Sequence, residues 1–173
     1  LLDGILIQAG SSEDKLIEQI AKSNVPMVVV GRPFEPEGIS NIDVDNVSAA
    51  ISATRHLIDL GYKRIGMITG SRTSAVTIDR REGFYKALKA AGRKADEDLI
   101  IEGDFTEDSG YVAMQKIIKE KPDAVFAQSD IMAVGAMRAV QDAGLSIPED
   151  IAFIGFDDLP IASTFKPRLT TVR

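Results

Sequence analysis

Short, unbroken apolar runs recur along this chain, each followed by an amphipathic stretch, and that order leaves few folds open. The runs are Gly4–Ile7, Met27–Val30, Ile65–Thr69, Leu99–Ile101, Ala124–Ala127 and Ile151–Ile154. They are continuous rather than alternating, which suits parallel strands covered on both faces. Between them lie helical stripes. Val47, Ala50, Ile51, Thr54, Leu57 and Ile58 repeat at helical spacing, as do Phe84, Ala87, Leu88 and Ala91, and Met132, Ala136, Ala139, Val140 and Ala143. Gly61, Gly92 and Gly144 follow these stripes, the residue type that best adopts the left-handed helix cap. The expectation is an α/β fold, an open parallel sheet flanked by helices.

The repeat is not uniform. Residues 32–41, with two prolines and a glycine, read as a loop, followed by a short extended piece, Ile42–Asp45. From Val47 the βα alternation runs unbroken to Asp158. The first 45 residues supply only two βα-type strands, too few for an independent sheet. They are expected to belong to a second lobe, with the chain's opening, Leu1-Leu2-Asp3, falling inside a folded pattern.

Composition narrows the function classes. A chain of 173 residues, 45% of them hydrophobic, buries enough surface to hold a core without disulfide or metal staples. The absence of cysteine removes thiol nucleophiles, iron–sulfur ligation and the common structural zinc sites, and a single histidine leaves no metal-ligand spacing. Twenty Lys+Arg against 26 Asp+Glu give a net charge of −6 with no basic stripe, which argues against a direct grip on nucleic acid by these residues. No apolar run approaches the roughly 20 residues of a membrane helix, and the opening lacks the basic region of a signal peptide.

Ligands of open α/β sheets bind beyond the carboxyl ends of the strands. Those ends carry Gln8, then Gly70 with a polar loop to Asp79, Arg80 and Arg81, then Gly103, Asp104 and Phe105, then Gln128, Ser129 and Asp130, and finally Asp157 and Asp158. A guanidinium fork, carboxylates that accept from hydroxyls and an aromatic face suit a polar, ring-shaped ligand such as a sugar or nucleoside. Plainer roles compete. Asp130 and Asp45 stand where helix N-caps stand, Asp158 reads as a cap rather than a contact, Phe105 fits an ordinary core, and Arg80 beside Arg81 fits a solvated ion pair. His56 near a helix C-terminus is explained by the helix dipole.

Enzyme templates fail. Neither the dinucleotide glycine fingerprint nor the P-loop is present, no G-x-S-x-G elbow appears, and Asp43-x-Asp45 lacks the surroundings of a phosphatase aspartate pair. The chain is expected not to be an enzyme and to need no cofactor or metal.

Five segments together resemble the lactose/purine repressor family. They are His56–Gly70 (with Tyr62 where a histidine is usual), Arg80-Arg81-Glu82-Gly83-Phe84, Ser129–Ala136, Pro148–Asp158 and Pro167–Val172. The resemblance implies the two-lobed, periplasmic-binding-protein-like sensor core of a transcriptional regulator. Residues 1–45 would be part of the N-terminal lobe, 46–163 the C-terminal lobe and 164–173 a strand crossing back toward the N-terminal lobe. It also implies a small-molecule effector, a homodimer, a cytoplasmic location with no membrane partner, and operator DNA gripped only by a helix-turn-helix outside these residues. Carried over residue by residue, Arg80 and Asp157 match effector-binding positions and Phe105 the aromatic that stacks on the effector. Ser129 and Asp130 match a polar pair, Asp45 an aspartate at the interlobe crossing, and Gln8 a contact of the N-terminal lobe. Gly31 departs from an effector-contacting aspartate, and Ser74 and Val76 replace polar or charged residues of the purine-sensing branch, which favours a sugar. A periplasmic sugar-binding protein is the alternative, followed by a sugar- or nucleotide-processing enzyme.

Overall fold

A computed structural model describes residues 3–8, 19–20, 22–23, 25–31 and 39–173. Two parallel sheets form. The smaller joins β1 (Ile5–Gln8), β2 (Met27–Val30) and β3 (Ser40–Ile42) in that order. After a short link, α1 (Asn46–Asp59) opens a regular alternation. It continues as β4 (Ile65–Thr69), α2 (Ala75–Ala90), β5 (Ile100–Glu102), α3 (Glu107–Ile117), β6 (Ala124–Ala127), α4 (Asp130–Asp142), β7 (Ala152–Phe156), α5 (Pro160–Thr164) and β8 (Thr170–Val172). The five strands of the larger sheet run in the order β5-β4-β6-β7-β8, all parallel.

Every residue of β4, β6 and β7 is buried, the double-sided burial that continuous apolar runs predict. Alternate side chains feed two core layers. Ile68, Val125, Ala127 and Phe153 pack with Met114, Ile117, Met132 and Met137 of α3 and α4. Met67, Phe126, Ile154 and Phe156 pack with Ala50, Leu57, Phe84 and Leu88 of α1 and α2. Helices on each face meet backbone to backbone at glycines: a Cβ at Gly135 would collide with the Glu107 carbonyl, and one at Gly83 with the Val47 carbonyl. Gly61, Gly92 and Gly144 adopt positive φ values of 93°, 70° and 75° just past three helices, as their positions predict.

Several boundaries differ from expectation. The extended piece at Ile42–Asp45 is instead a third strand, Ser40–Ile42. It ends because the Asp43 carboxylate accepts from the Val44 amide at 2.8 Å and the Asp45 carboxylate caps α1 through Ser48 N at 2.9 Å. Most of the 32–41 loop lies outside the described residues. Leu99 belongs to a short 3₁₀ turn (Glu97–Leu99) capped by Asp96, so β5 starts one residue later. Asp158 caps nothing: Leu159 holds the N-cap position of α5, and Asp158 Oδ2 pairs with Arg173 Nε at 2.5 Å. Of the segment 164–173, expected as a crossover strand, Thr170–Val172 pairs with β7 as the edge strand of the larger sheet.

Candidate functional site

The strand order changes direction between β4 and β6, since β5 lies on one side of β4 and β6, β7 and β8 on the other. That switch point is where an open α/β sheet leaves a crevice at its carboxyl edge. Gln128, just past β6, spans it. Its side-chain Oε1 accepts from Gly70 N at 3.0 Å, and its Nε2 donates to the Thr77 carbonyl at 3.2 Å.

Arg80 projects from α2 into this crevice and is only 7% exposed. Its Nε donates to Asn46 Oδ1 at 2.9 Å, Nη1 to the Gln128 carbonyl, and Nη2 to Asp157 Oδ1 at 3.5 Å. The guanidinium lies over the Phe156 ring, 3.5 Å from its centroid, a cation–π arrangement. Burial pulls the Arg80 pKa down while Asp157 opposes the shift, and a guanidinium is basic enough to stay charged regardless. Burial pushes the Asp157 carboxyl up, and Arg80 offsets this only in part. The pair is therefore a desolvated cation fully bonded on three sides, with a carboxylate that keeps 36% of its side-chain surface in water.

Phe105 follows β5 with φ 68°, in the left-handed region. Its half-buried ring lies against the end of β4, where a Cβ at Gly70 would collide with it and crowd Thr77 Oγ1. The Thr77 hydroxyl, one turn of α2 before Arg80, is buried with no hydrogen-bond partner among the described residues. Through Gly70, Thr77 and Gln128 the Phe105 ring shares one rim with Arg80 and Asp157. The three residues come from the ends of β5 and β7 and the helix after β4.

The remaining candidates serve differently. Ser129 is buried and its hydroxyl caps α4, accepting from Met132 N at 3.2 Å. Asp130 is 0% exposed and its carboxylate is taken up by internal donors; burial raises its pKa, against the pull of those bonds. Asp45 caps α1, and the Ser48 amide holds its carboxyl below the usual range. Gln8 ends β1 on the smaller sheet and is exposed. His56 lies elsewhere, lining a cavity of about 220 Å³ with Tyr62, Phe153 and Arg168 at the edge where the larger strands begin. Asn46 and Phe156, which fix Arg80 from two sides, were not singled out from sequence. Asn46 carries a signal, a polar residue at the first position of a helix otherwise striped with apolar residues, whereas Phe156 reads simply as strand. Among the described residues no cluster of His, Asp and Glu is placed to hold a metal, and no helix is long and apolar enough to cross a membrane.

Comparison with known proteins agrees with this architecture. Residues 54–173 match the periplasmic binding protein-like domain. The chain is 38% identical to the HTH-type transcriptional regulator CelR of Thermobifida fusca, covering 99% of this chain and 52% of that protein. It is 34% identical to catabolite control protein A of Priestia megaterium, with coverage of 99% and 52%. Among solved structures, a complex of the transcriptional regulator CelR with cellobiose superposes with a TM-score of 0.94 at 37% identity, covering 98% of this chain and 53% of that one. A LacI-family regulatory protein from Chloroflexus aggregans gives a TM-score of 0.92 at 29% identity, over 99% of this chain and 63% of that one. The chain thus spans about half the length of the curated relatives it matches. With its parallel α/β sheet, its strand-end crevice and these matches, the chain belongs to the periplasmic binding protein-like domain family, in the form carried by LacI-family transcriptional regulators.

Proposed function

We propose that the chain is the effector-sensing part of a transcriptional regulator, and that the strand-end rim of the larger sheet binds a small sugar. The observation that carries this reading is the Arg80–Asp157 pair at the switch point, seated on Phe156 and flanked by Phe105 on the same rim. Asp157 keeps part of its carboxylate in water beside a fixed cation, so it can accept hydroxyls, and the Phe105 ring offers an apolar face to a pyranose. The cellobiose in the CelR complex makes a glucoside the first compound to try. The site is assigned the binding of a sugar through its cation, carboxylate and aromatic face.

In this reading residues 1–45 form part of one lobe and 46–163 the other, and 164–173 is the segment that returns toward the first, by way of the edge of the larger sheet. Gln8 and Asp45 approach the ligand from the side of the smaller sheet. A ligand that touches both lobes in only one closure state shifts the lobe angle by its differential affinity. In a cytoplasmic homodimer, that angle sets the spacing of two DNA-binding heads. Isothermal titration against a panel of mono- and disaccharides, with nucleosides as controls, tests the claim. Saturable binding of a sugar that is lost in Arg80→Ala is expected; saturable binding of nucleosides alone, or sugar binding indifferent to Arg80, rejects it.

A further inference from the structure

Asp157 and Asp158 are consecutive non-glycine residues in the left-handed region, with φ values of 107° and 51°. Such backbone persists only where its surroundings over-determine it. The turn leads to one buried group. Leu159 N donates to Asp130 Oδ2 at 2.7 Å. Thr171 of β8 donates its hydroxyl to Asp130 Oδ1 at 2.5 Å and accepts from Asp158 N at 3.3 Å. Asp157 N in turn donates to the Val172 carbonyl at 2.9 Å. Gly155 makes room for all this, since a Cβ there would collide with Asp130 Oδ1.

We propose that Asp130 is a positioning residue for the effector rim: its carboxylate clamps the far end of the Asp157–Asp158 turn at Leu159 and ties the turn to β8 through Thr171, which aims Asp157 at Arg80. An ionised carboxylate suits this role because it only accepts, and its two oxygens serve donors from two segments at once. An asparagine in its place brings its own N–H₂ against a backbone N–H. The arrangement also makes β8 a reporter of the turn, because Thr171 is bonded to the clamp and to Asp158 together. The inference rests on the sugar-binding reading for its functional consequence, though not for its geometry.

The first test is a crystal structure of Asp130→Asn, with far-UV circular dichroism to establish folding. Expected is a turn that leaves the left-handed region and an Arg80–Asp157 separation greater than the 3.5 Å of the parent; an unchanged turn with the pair intact overturns the proposal. Should the variant not fold, amide hydrogen exchange of the parent decides. The Leu159 amide should be protected like the interior of β7, and its exchange at loop rates overturns the clamp. For function, cellobiose is titrated into the parent, Asp130→Asn, Asp157→Asn and the double variant. Asp130→Asn should bind at least tenfold more weakly, and the double variant no more weakly than Asp157→Asn alone, because Asp130 acts through Asp157. Additive losses would reduce Asp130 to general structural support and defeat the proposal. If the parent binds no sugar, the effector reading fails while the crystal and exchange results still judge the clamp.

Discussion

The two sheets are built from the same kind of apolar run and end in opposite states. In the larger, both faces of β4, β6 and β7 are covered by helices and every residue of these strands is buried. In the smaller, Val29 is the one fully buried residue of its three strands. The register places Leu6, Val30 and Ile42 on one face, exposed to 72%, 40% and 66%. A parallel sheet requires cover on both sides. The larger sheet finds that cover within residues 46–173, whereas one face of the smaller does not find it among the described residues. Stability should therefore reside in the larger sheet, which also carries the Arg80–Asp157 rim.

The largest effect should come from breaking the larger sheet at its centre. Phe126 sits on β6 with 0% exposure, between α1 and α2 on its face. Phe126→Ala should cost about 3–5 kcal/mol from lost burial and the cavity left behind, read as a lowered midpoint in urea unfolding. A cost under about 1 kcal/mol would mean that this core is not the one holding the chain.

Next is Arg80→Ala, which strips the hydrogen bonds to Asn46, Gln128 and Asp157. Breaking a buried pair costs about 3–5 kcal/mol. Because Asp157 keeps 36% of its side-chain surface, water takes over part of the load, and about 2–3 kcal/mol of stability should go. Sugar affinity should fall tenfold to a hundredfold, about 1.5–3 kcal/mol for a lost charge-assisted hydrogen bond. Gln8→Ala, on the smaller sheet, should lose far less in both assays, and equal losses would erase the contrast between the sheets.

How legible this was depends on what each residue does. The apolar runs and the glycine-terminated helices announced the larger sheet because burial and capping act locally. In the helix α3 the buried face is short, Gly110, Ala113, Met114 and Ile117 at helical spacing, and it opens on a glycine. Gly110 is a poor helix former kept because a Cβ there would collide with the Met132 carbonyl of α4. That is a tertiary reason, invisible along the chain. Arg80, Phe105 and Asp157 could be picked out because strand ends collect ligands, and the structure brings them to one rim. Asp130 was chosen for the same reason, yet its carboxylate faces inward, because the donors that claim it come from residues 29 and 41 positions away. Position at a strand end says that a group is near the site; it does not say which way the group points.

A smaller effect is expected from pH. Burial raises the folded-state pKa of both Asp157 and Asp130 above the ordinary aspartate value of about 3.9. In the window between that value and the raised ones, the folded state binds more protons than the unfolded. The penalty for burying these charges is thus fully present above the raised pKa values and relieved as pH falls toward about 3.9. Sugar binding should run the other way, since a protonated Asp157 offers one fewer acceptor. The dissociation constant should rise as pH falls through this window in the parent and stay flat in Asp157→Asn, a divergence that titration calorimetry at several pH values reads directly.

The smallest effect sharpens the contrast most. Leu6 is the most exposed large hydrophobic residue in the described structure, at 72%. Its replacement by serine removes no buried contact, so unfolding free energy should change by no more than about 0.5 kcal/mol, the range of surface substitutions. A loss well beyond that would show that the Leu6–Val30–Ile42 face is covered in solution. If the loss shrinks on dilution, the cover is a second copy of the chain, because stability that depends on association depends on concentration. If it does not, the cover belongs to the same chain. Only a near-zero change, independent of concentration, fits a smaller sheet whose Leu6–Val30–Ile42 face stays open to water.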